Sequence, residues 1–564
     1  MLPPRTVPAW TIAPPSPESL GAPKKASKIS RKRTTLIILG LAGVGSYFAD
    51  GYFNGRAIRR TLRTAWTGVV IAVDYKINFH EGNAAEGGID RLHERVAKRM
   101  YDTIRSNGGL YIKIGQALAM QADILPPAYS RMFSTLFDSA PAIPWREVHK
   151  ILTRELGRPP EEVFAYIDPR VAASASIAQV HRARLHTGEW VAVKVQKPEI
   201  AKQVEWDLWS YKMLLYVYEN YIFDIPIYFT ADFTAAQLRS ETDFVNEAKN
   251  AEKTAAFIVT EPSLHGRVRV PEVFWDYTTS KIMTATWEEG VRINENEKIR
   301  RMGISHKEVM QTMCDLFAAQ MFKFGFLHAD PHPGNILVRR KAKGRGSELV
   351  LLDHGLYISE PEMLREDYCE LWKSLVTFDN ATIRKIAVGW GITNPDLLAS
   401  ATLLRPYSGG KRGSLGGGKD GKQGKILDPY EAQLALKEKL KSFLSDTSKI
   451  PQELLFIGRN MRIVQANNRQ LGSPVNRIAI LANWASRSLA DLPRGASFSA
   501  RIGAWWKHIK FRFAITVING TFYWTRLKQI VTGSTDSYED LILKEMRSVA
   551  RGVGLDVSDR AFEG

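Results

Sequence analysis

The run His328-Ala329-Asp330-Pro331-His332-Pro333-Gly334-Asn335, with Leu351-Leu352-Asp353-His354-Gly355 after it, decides how this chain is read. A carboxylate, an amide five residues on, and a second carboxylate across a short hairpin are what phosphoryl transfer from ATP requires. One group orients or deprotonates the acceptor and the other two hold Mg²⁺ against the phosphates. The intervening sequence agrees: Asn335-Ile336-Leu337-Val338 reads as a strand, Lys341 to Ser347 as a polar turn, and Leu349-Val350-Leu351-Leu352 as the returning strand. Such a hairpin brings Asn335 and Asp353 to one end, where one metal sees both. A zinc site on His328 and His332 is the weaker reading, since no cysteine lies nearby and the ligand spacing is not repeated.

Working outward, Lys194 sits in Val191-Ala192-Val193-Lys194-Val195, a strand lysine of the kind that contacts α/β-phosphates and pairs with a helix-borne glutamate. The downstream helix offers Glu241, Asp243 and Glu247, with Asp243 and Glu247 spaced to share a face. Ahead of the lysine, where a glycine-rich loop would cover phosphates, stands Ala173-Ser174-Ala175-Ser176-Ile177-Ala178-Gln179-Val180. Alanine and serine still allow close backbone approach, but they do not reach positive φ as glycine does, so the loop is expected to be stiffer. Further upstream, Lys113 and Gln116 in Lys113-Ile114-Gly115-Gln116 share a helix face and need partners, a carboxylate from the Glu241 segment being one choice.

The 564 residues leave room for two to four domain-sized units. A formal charge of +18 suits an anionic partner, and no zinc finger, RNA-binding aromatic motif or basic zipper points to nucleic acid. Cys314 and Cys369 lie in apolar helical stretches and read as buried free thiols. Residues 1–33 carry seven basic residues and one acid, Glu18, which describes a mitochondrial presequence, although the prolines prevent a long amphipathic helix. The uncharged stretch Thr34 to Ala49 makes 34–53 a transmembrane candidate, with a buried helix or a secretory signal as alternatives. The denser basic cluster before it favours the N-terminal end facing the matrix and the bulk of the chain facing the intermembrane space.

Helical periodicity covers 54–165, with Ala57 to Tyr75 and Ile89 to Ala122 each read as one helix. Strands follow at 177–183 and 190–195, then helices at Gln203 to Tyr221 and Thr234 to Ile258, and strand character again at Val268 to Val273 and Lys281 to Thr286. The boundaries expected are an N-lobe over 166–290, a C-lobe over 291–480 with a flexible Gly/Lys-rich insertion at 405–425, and an aromatic, basic tail over 481–564. That tail is either a helix packed on the body or a membrane-surface face.

Taken in order, the Lys-x-Gly-Gln run, the Ala-rich loop, the lysine strand, Glu241-Thr242-Asp243, His328 to Asn335 and Asp353-His354-Gly355 resemble the UbiB/aarF-domain atypical kinase family over about residues 95–375, close to its fungal mitochondrial branch. The resemblance implies an α+β, two-lobed protein-kinase-like fold with a helical N-terminal extension and a single N-terminal transmembrane helix. It implies ATP and Mg²⁺ as cofactors, with Ala173 to Val180 as nucleotide loop and Lys194 on ATP. Glu247 becomes the ion-pair partner, Glu241 and Asp243 the Glu-x-Asp motif, and Lys113 and Gln116 the extension motif. Asp330 becomes the catalytic carboxylate, and Asn335 and Asp353 the metal ligands. The extension is expected to lie where a peptide substrate would dock. A conditional ATPase, or a kinase for a small or lipid-like acceptor, is then expected at the mitochondrial inner membrane, in lipid or isoprenoid-quinone (ubiquinone) homeostasis. A soluble small-molecule phosphotransferase and a non-catalytic ATP-binding scaffold remain the alternatives.

Overall fold

In the computed structural model the residues described are 45, 49–51, 55–80, 88–119, 127–137, 142–223, 228, 231–341, 344–407, 451–489, 498–532 and 537–552. The extension is built from α1 (Ala57–Asn78), α2 (Gly88–Asn107), α3 (Leu110–Ala119) and α4 (Pro127–Phe133). Ile71, Leu92, Val96, Ile104, Tyr111 and Phe133 form its core. The single helix expected from Ile89 to Ala122 is in fact two, because Gly108 and Gly109 take φ of 64° and 52° and turn the chain between α2 and α3. Asp50, at the end of the stretch expected to span a membrane, is buried, and its carboxylate accepts the N–H groups of Ile58 and Arg59 at the start of α1. Most of 34–53 and all of 1–33 lie outside the described residues, among which no helix is long and apolar enough to cross a membrane.

The N-lobe comprises α5 (Trp145–Leu156), β1 (Tyr166–Ile167), β2 (Ala173–Ser174), β3 (Ala178–Arg184), β4 (Trp190–Gln196), α6 (Ile200–Val217), α7 (Ala231–Ser240), α8 (Phe244–Thr260), β5 (Val268–Arg269) and β6 (Ile282–Thr286). Its antiparallel sheet runs β1-β3-β4-β6, with β2 on β3. Strand alternation sorts the faces: Val191, Val193 and Val195 pack on Val148 and Leu152 of α5, while Ala192 and Lys194 face the other way. The helix expected from Thr234 to Ile258 is interrupted at Glu241–Asp243, since Asp243 caps α8 by accepting the Val245 N–H. α1 lies along α6, where Arg60 and Asp207 form a buried ion pair.

The C-lobe opens with β7 (Val291–Arg292), α9 (His306–Ala318), β8 (Phe326–His328), β9 (Ile336–Arg340), β10 (Ser347–Leu351) and β11 (Tyr357–Ser359). It continues through α10 (Glu362–Thr377), α11 (Asn380–Gly389), α12 (Pro395–Leu403), α13 (Glu453–Gln470) and α14 (Arg477–Ser488). β9 and β10 form the expected hairpin inside the order β5-β10-β9-β7, over a core that includes Phe317, Phe322, Leu327 and Trp372. Cys314 and Cys369 are buried free thiols. Of the flexible insertion expected at 405–425, Tyr407 is instead buried, stacks on Phe378 and donates to Asn380 Oδ1 at 2.8 Å, and 408–425 lie outside the described residues. The expected boundary at 480 falls inside α14, whose Trp484 indole donates to Asp315. Among the described residues two helices follow, α15 (Phe498–Thr532) on α10 and α14, and α16 (Tyr538–Gly552) on α13.

Candidate active site

Lys194 enters the cleft because β4 alternates, and in the β3–β4 ladder it lies opposite Val180. Its Nζ is 2.5 Å from Glu247 Oε1 in the first turn of α8. Burial works against the lysine charge, but Asp353 and Glu247 outweigh it, so the ammonium is held. Ala173 to Val180 divides by side. Ser174 and Ser176 each bury a hydroxyl oxygen with no hydrogen-bond partner. Lys197 Nζ fixes the loop by donating to the Ala175 carbonyl at 2.5 Å. Ile177 and Ala178 are core residues against α6. Gln179 turns away, as strand alternation requires: its amide bonds the backbone of Ile143 beneath the sheet, so its side chain is not part of the phosphate loop.

The hairpin register pairs Ile336 with Leu351, and the Leu352 N–H donates to the Asn335 carbonyl at 2.9 Å. Asn335 and Asp353 therefore leave the sheet at the same end. Burial pushes the Asp353 carboxyl up, yet Lys194 and Lys113 hold it below the usual carboxylate range. Asp330 behaves likewise, with Arg459 and Lys113 overcoming its burial. Its Oδ1 lies 3.1 Å from Arg459 Nη2 but accepts no well-aimed hydrogen bond. The backbone around it is braced: the Asp330 N–H donates to His328 Nδ1, and Asn460 Nδ2 donates to the His328 carbonyl at 2.7 Å.

His354 occupies the position that is phenylalanine in Asp-Phe-Gly kinases. It is 1% exposed, takes the Tyr357 hydroxyl on Nδ1 and donates from Nε2 to the Leu351 carbonyl. Burial, then the charge of His328, pushes its pKa down to about 3. A histidine that refuses its proton in the fold accepts one when unfolded, so stability is full above the ordinary histidine range near 6.5 and falls as pH drops toward 3. The expected slope from His354 is ~1.4 kcal/mol per pH unit. Denaturant midpoints measured across that range in wild type and His354→Phe check this; the variant should lose that share of the slope.

Lys113 reaches the same place from α3, with Nζ 3.0 Å from Glu241 Oε2, and Glu241 lies against Gly355. Gly115 permits the approach, since a Cβ there would stand 2.5 Å from Leu136 Cδ1. Gln116 is spent on the extension itself, donating to the Leu136 carbonyl, and Asp243 on capping α8. Lys194, Glu247, Asp353, Asp330, Lys113 and Glu241 thus converge. Among the described residues no three His, Cys, Asp or Glu side chains cluster as a self-sufficient metal cage. One carboxylate and one amide, completed by phosphate oxygens and water, form a hard-oxygen set that fits Mg²⁺.

Residues 135–387 match the family described as ABC1 atypical kinase-like domain. An ABC1 family protein of Schizosaccharomyces pombe is 42% identical over 81% of this chain and 84% of its own. The chain belongs to the ABC1 (UbiB/aarF) atypical kinase family. ABC1 family protein lscO of Purpureocillium lilacinum is 38% identical, covering 90% of this chain and 89% of its own, and AarF domain-containing kinase 1 of Drosophila melanogaster is 34% identical over 65% and 72%. In this ABC1 protein, three site contacts escape motif reading: Arg459 on Asp330, Asn460 on the His328 carbonyl, and Lys197 on Ala175. The signal for the first two was an Arg-Asn pair inside the otherwise apolar run Leu454-Leu455-Phe456-Ile457-Gly458-Arg459-Asn460-Met461.

Proposed function

We propose that this protein binds Mg–ATP between its lobes and uses it for phosphoryl transfer to a small or lipid-like acceptor, or for conditional hydrolysis, at a mitochondrial membrane. The observation that carries the reading is the Lys194–Glu247 pair at 2.5 Å with ionised Asp353 beside it. Lys194 would grip the α/β-phosphates, Ser174 and Ser176 would donate to phosphate oxygens, and Asn335 and Asp353 would hold Mg²⁺, which draws charge off the transferring phosphoryl group. Asp330, kept ionised, would orient the acceptor hydroxyl or water and take its proton late. The Lys113–Glu241 bridge brings the extension up to Gly355, which favours a small acceptor over a protein loop. The basic, acid-poor residues 1–33 and the uncharged run from Thr34 support the mitochondrial inner membrane, and the family resemblance supports a lipid or ubiquinone role.

Thermal unfolding with and without Mg–ATP tests this. Ligand at a hundred times its Kd stabilises the fold by about 2.7 kcal/mol. Wild type should show that gain, and Lys194→Ala and Asp353→Asn should lose most of it. Equal stabilisation of both variants would remove the site.

A further inference from the structure

α15 carries a second surface that the nucleotide site does not use. Phe511, Ile515 and Phe522 are buried against the body, while the opposite side of the helix exposes Trp506, Phe513, Val517, Trp524, Leu527 and Val531, several of them more than half exposed. With Ile509 these recur at steps of three, four or, across Gly520, seven residues, which sets them on one line along the helix. From Trp506 to Val531 that line is ~38 Å long at 1.5 Å per residue. The helix contains Arg501, Lys507, Lys510, Arg512, Arg526 and Lys528 and no acidic residue, and the chain has none from Leu492 to Thr535. At helical spacing Lys510 and Lys528 fall on one flank of the line and Arg512 on the other, with Tyr523 beside it.

We infer that this face docks on an anionic phospholipid surface, with α15 lying in the plane of the interface. Charge chooses the occupant. A stripe of exposed aromatic and aliphatic side chains on a helix whose charged residues are all cations matches acyl-chain depth between headgroup phosphates, with lysines snorkelling and tryptophan and tyrosine at the polar boundary. A groove of about 600 Å³ opens beside the stripe and shares Phe513 and Val517 with it; its charged lining residues are Lys510, Arg405 and Glu545, the last two 3.9 Å apart. It offers one acyl chain an apolar bed, with Lys510 to meet a phosphate. This attachment is separate from the 34–53 stretch and from the nucleotide cleft.

The test uses the full chain with Phe513→Cys carrying an environment-sensitive dye, Cys314 and Cys369 being buried. The dye reports its own surroundings however the rest of the chain is attached. Vesicles of phosphatidylcholine alone are compared with vesicles containing about a third anionic phospholipid. The expected result is a blue shift on anionic vesicles that salt reverses, and a partition ~10–30-fold weaker in Lys510→Gln/Lys528→Gln, at roughly five-fold per lysine. An equal response to neutral vesicles, indifference to the lysine pair, or a shift that grows with protein concentration without lipid, as for docking of a second copy, would each overturn the inference. Mg–ATP stabilisation of the labelled protein is the control, so failure here is distinguishable from failure of the nucleotide site.

Discussion

Asp330→Asn is expected to lower ATP turnover by about 10²–10⁴-fold, the usual contribution of a positioned acid–base group. The side chain keeps its shape, so the loss reports charge and proton acceptance. Asp330 is held ionised by Arg459 and Lys113, and its backbone is fixed through His328, which Gln320 and Asn460 brace in turn. Lys194, Glu247 and the Asn335–Asp353 end of the hairpin are untouched, so Mg–ATP should still raise the unfolding temperature of the variant. Phosphate release and thermal stabilisation, measured on the same preparation, separate the two. If the variant turned over ATP at the wild-type rate, Asp330 would not be the catalytic carboxylate. If it restored full function in cells despite losing turnover, the protein would act as a nucleotide-binding scaffold.

The second large effect concerns stability. Arg477 and Glu539 are 1% and 0% exposed, with Nε and Oε1 2.9 Å apart, and they join α14 to α16. Glu539 also accepts from Gln465 and Asn468 of α13, and Arg477 donates to the Leu403 carbonyl. Removing one member leaves an uncompensated buried charge, so Glu539→Ala or Arg477→Ala is expected to cost about 3–5 kcal/mol. Arg477→Met with Glu539→Leu should recover much of that, because the desolvation cost disappears with both charges. Denaturant midpoints decide it: a single variant costing under about 1 kcal/mol, or a double variant costing the sum of the two, would contradict this account.

The hairpin could be read from sequence because turn chemistry and strand composition agreed, and the Lys194 strand because strict alternation leaves a lysine one face to occupy. The reading failed where a side chain competed with the backbone. Asp243 caps a new helix instead of sharing a face with Glu247, and that break frees Glu241 to meet Lys113. Gln179 sits in a motif by order but faces away by strand parity. The α2–α3 turn at Gly108 and Gly109 was hidden because the apolar spacing continues through it. Arg459 was invisible for another reason: it meets Asp330 only through tertiary folding, and no local pattern records a contact across 129 positions.

The ties on α13 bear on how far the polypeptide can be shortened. The same helix steadies His328 at one end and, through Gln465 and Asn468, rests on Glu539 at the other. Cutting the chain after α14 would strand Arg477 and two amides inside an emptied seat, a few turns from the residues that hold Asp330. A trimmed protein that hydrolyses ATP poorly would therefore report injury to its own scaffold, and should not be taken as the intrinsic rate of the catalytic core.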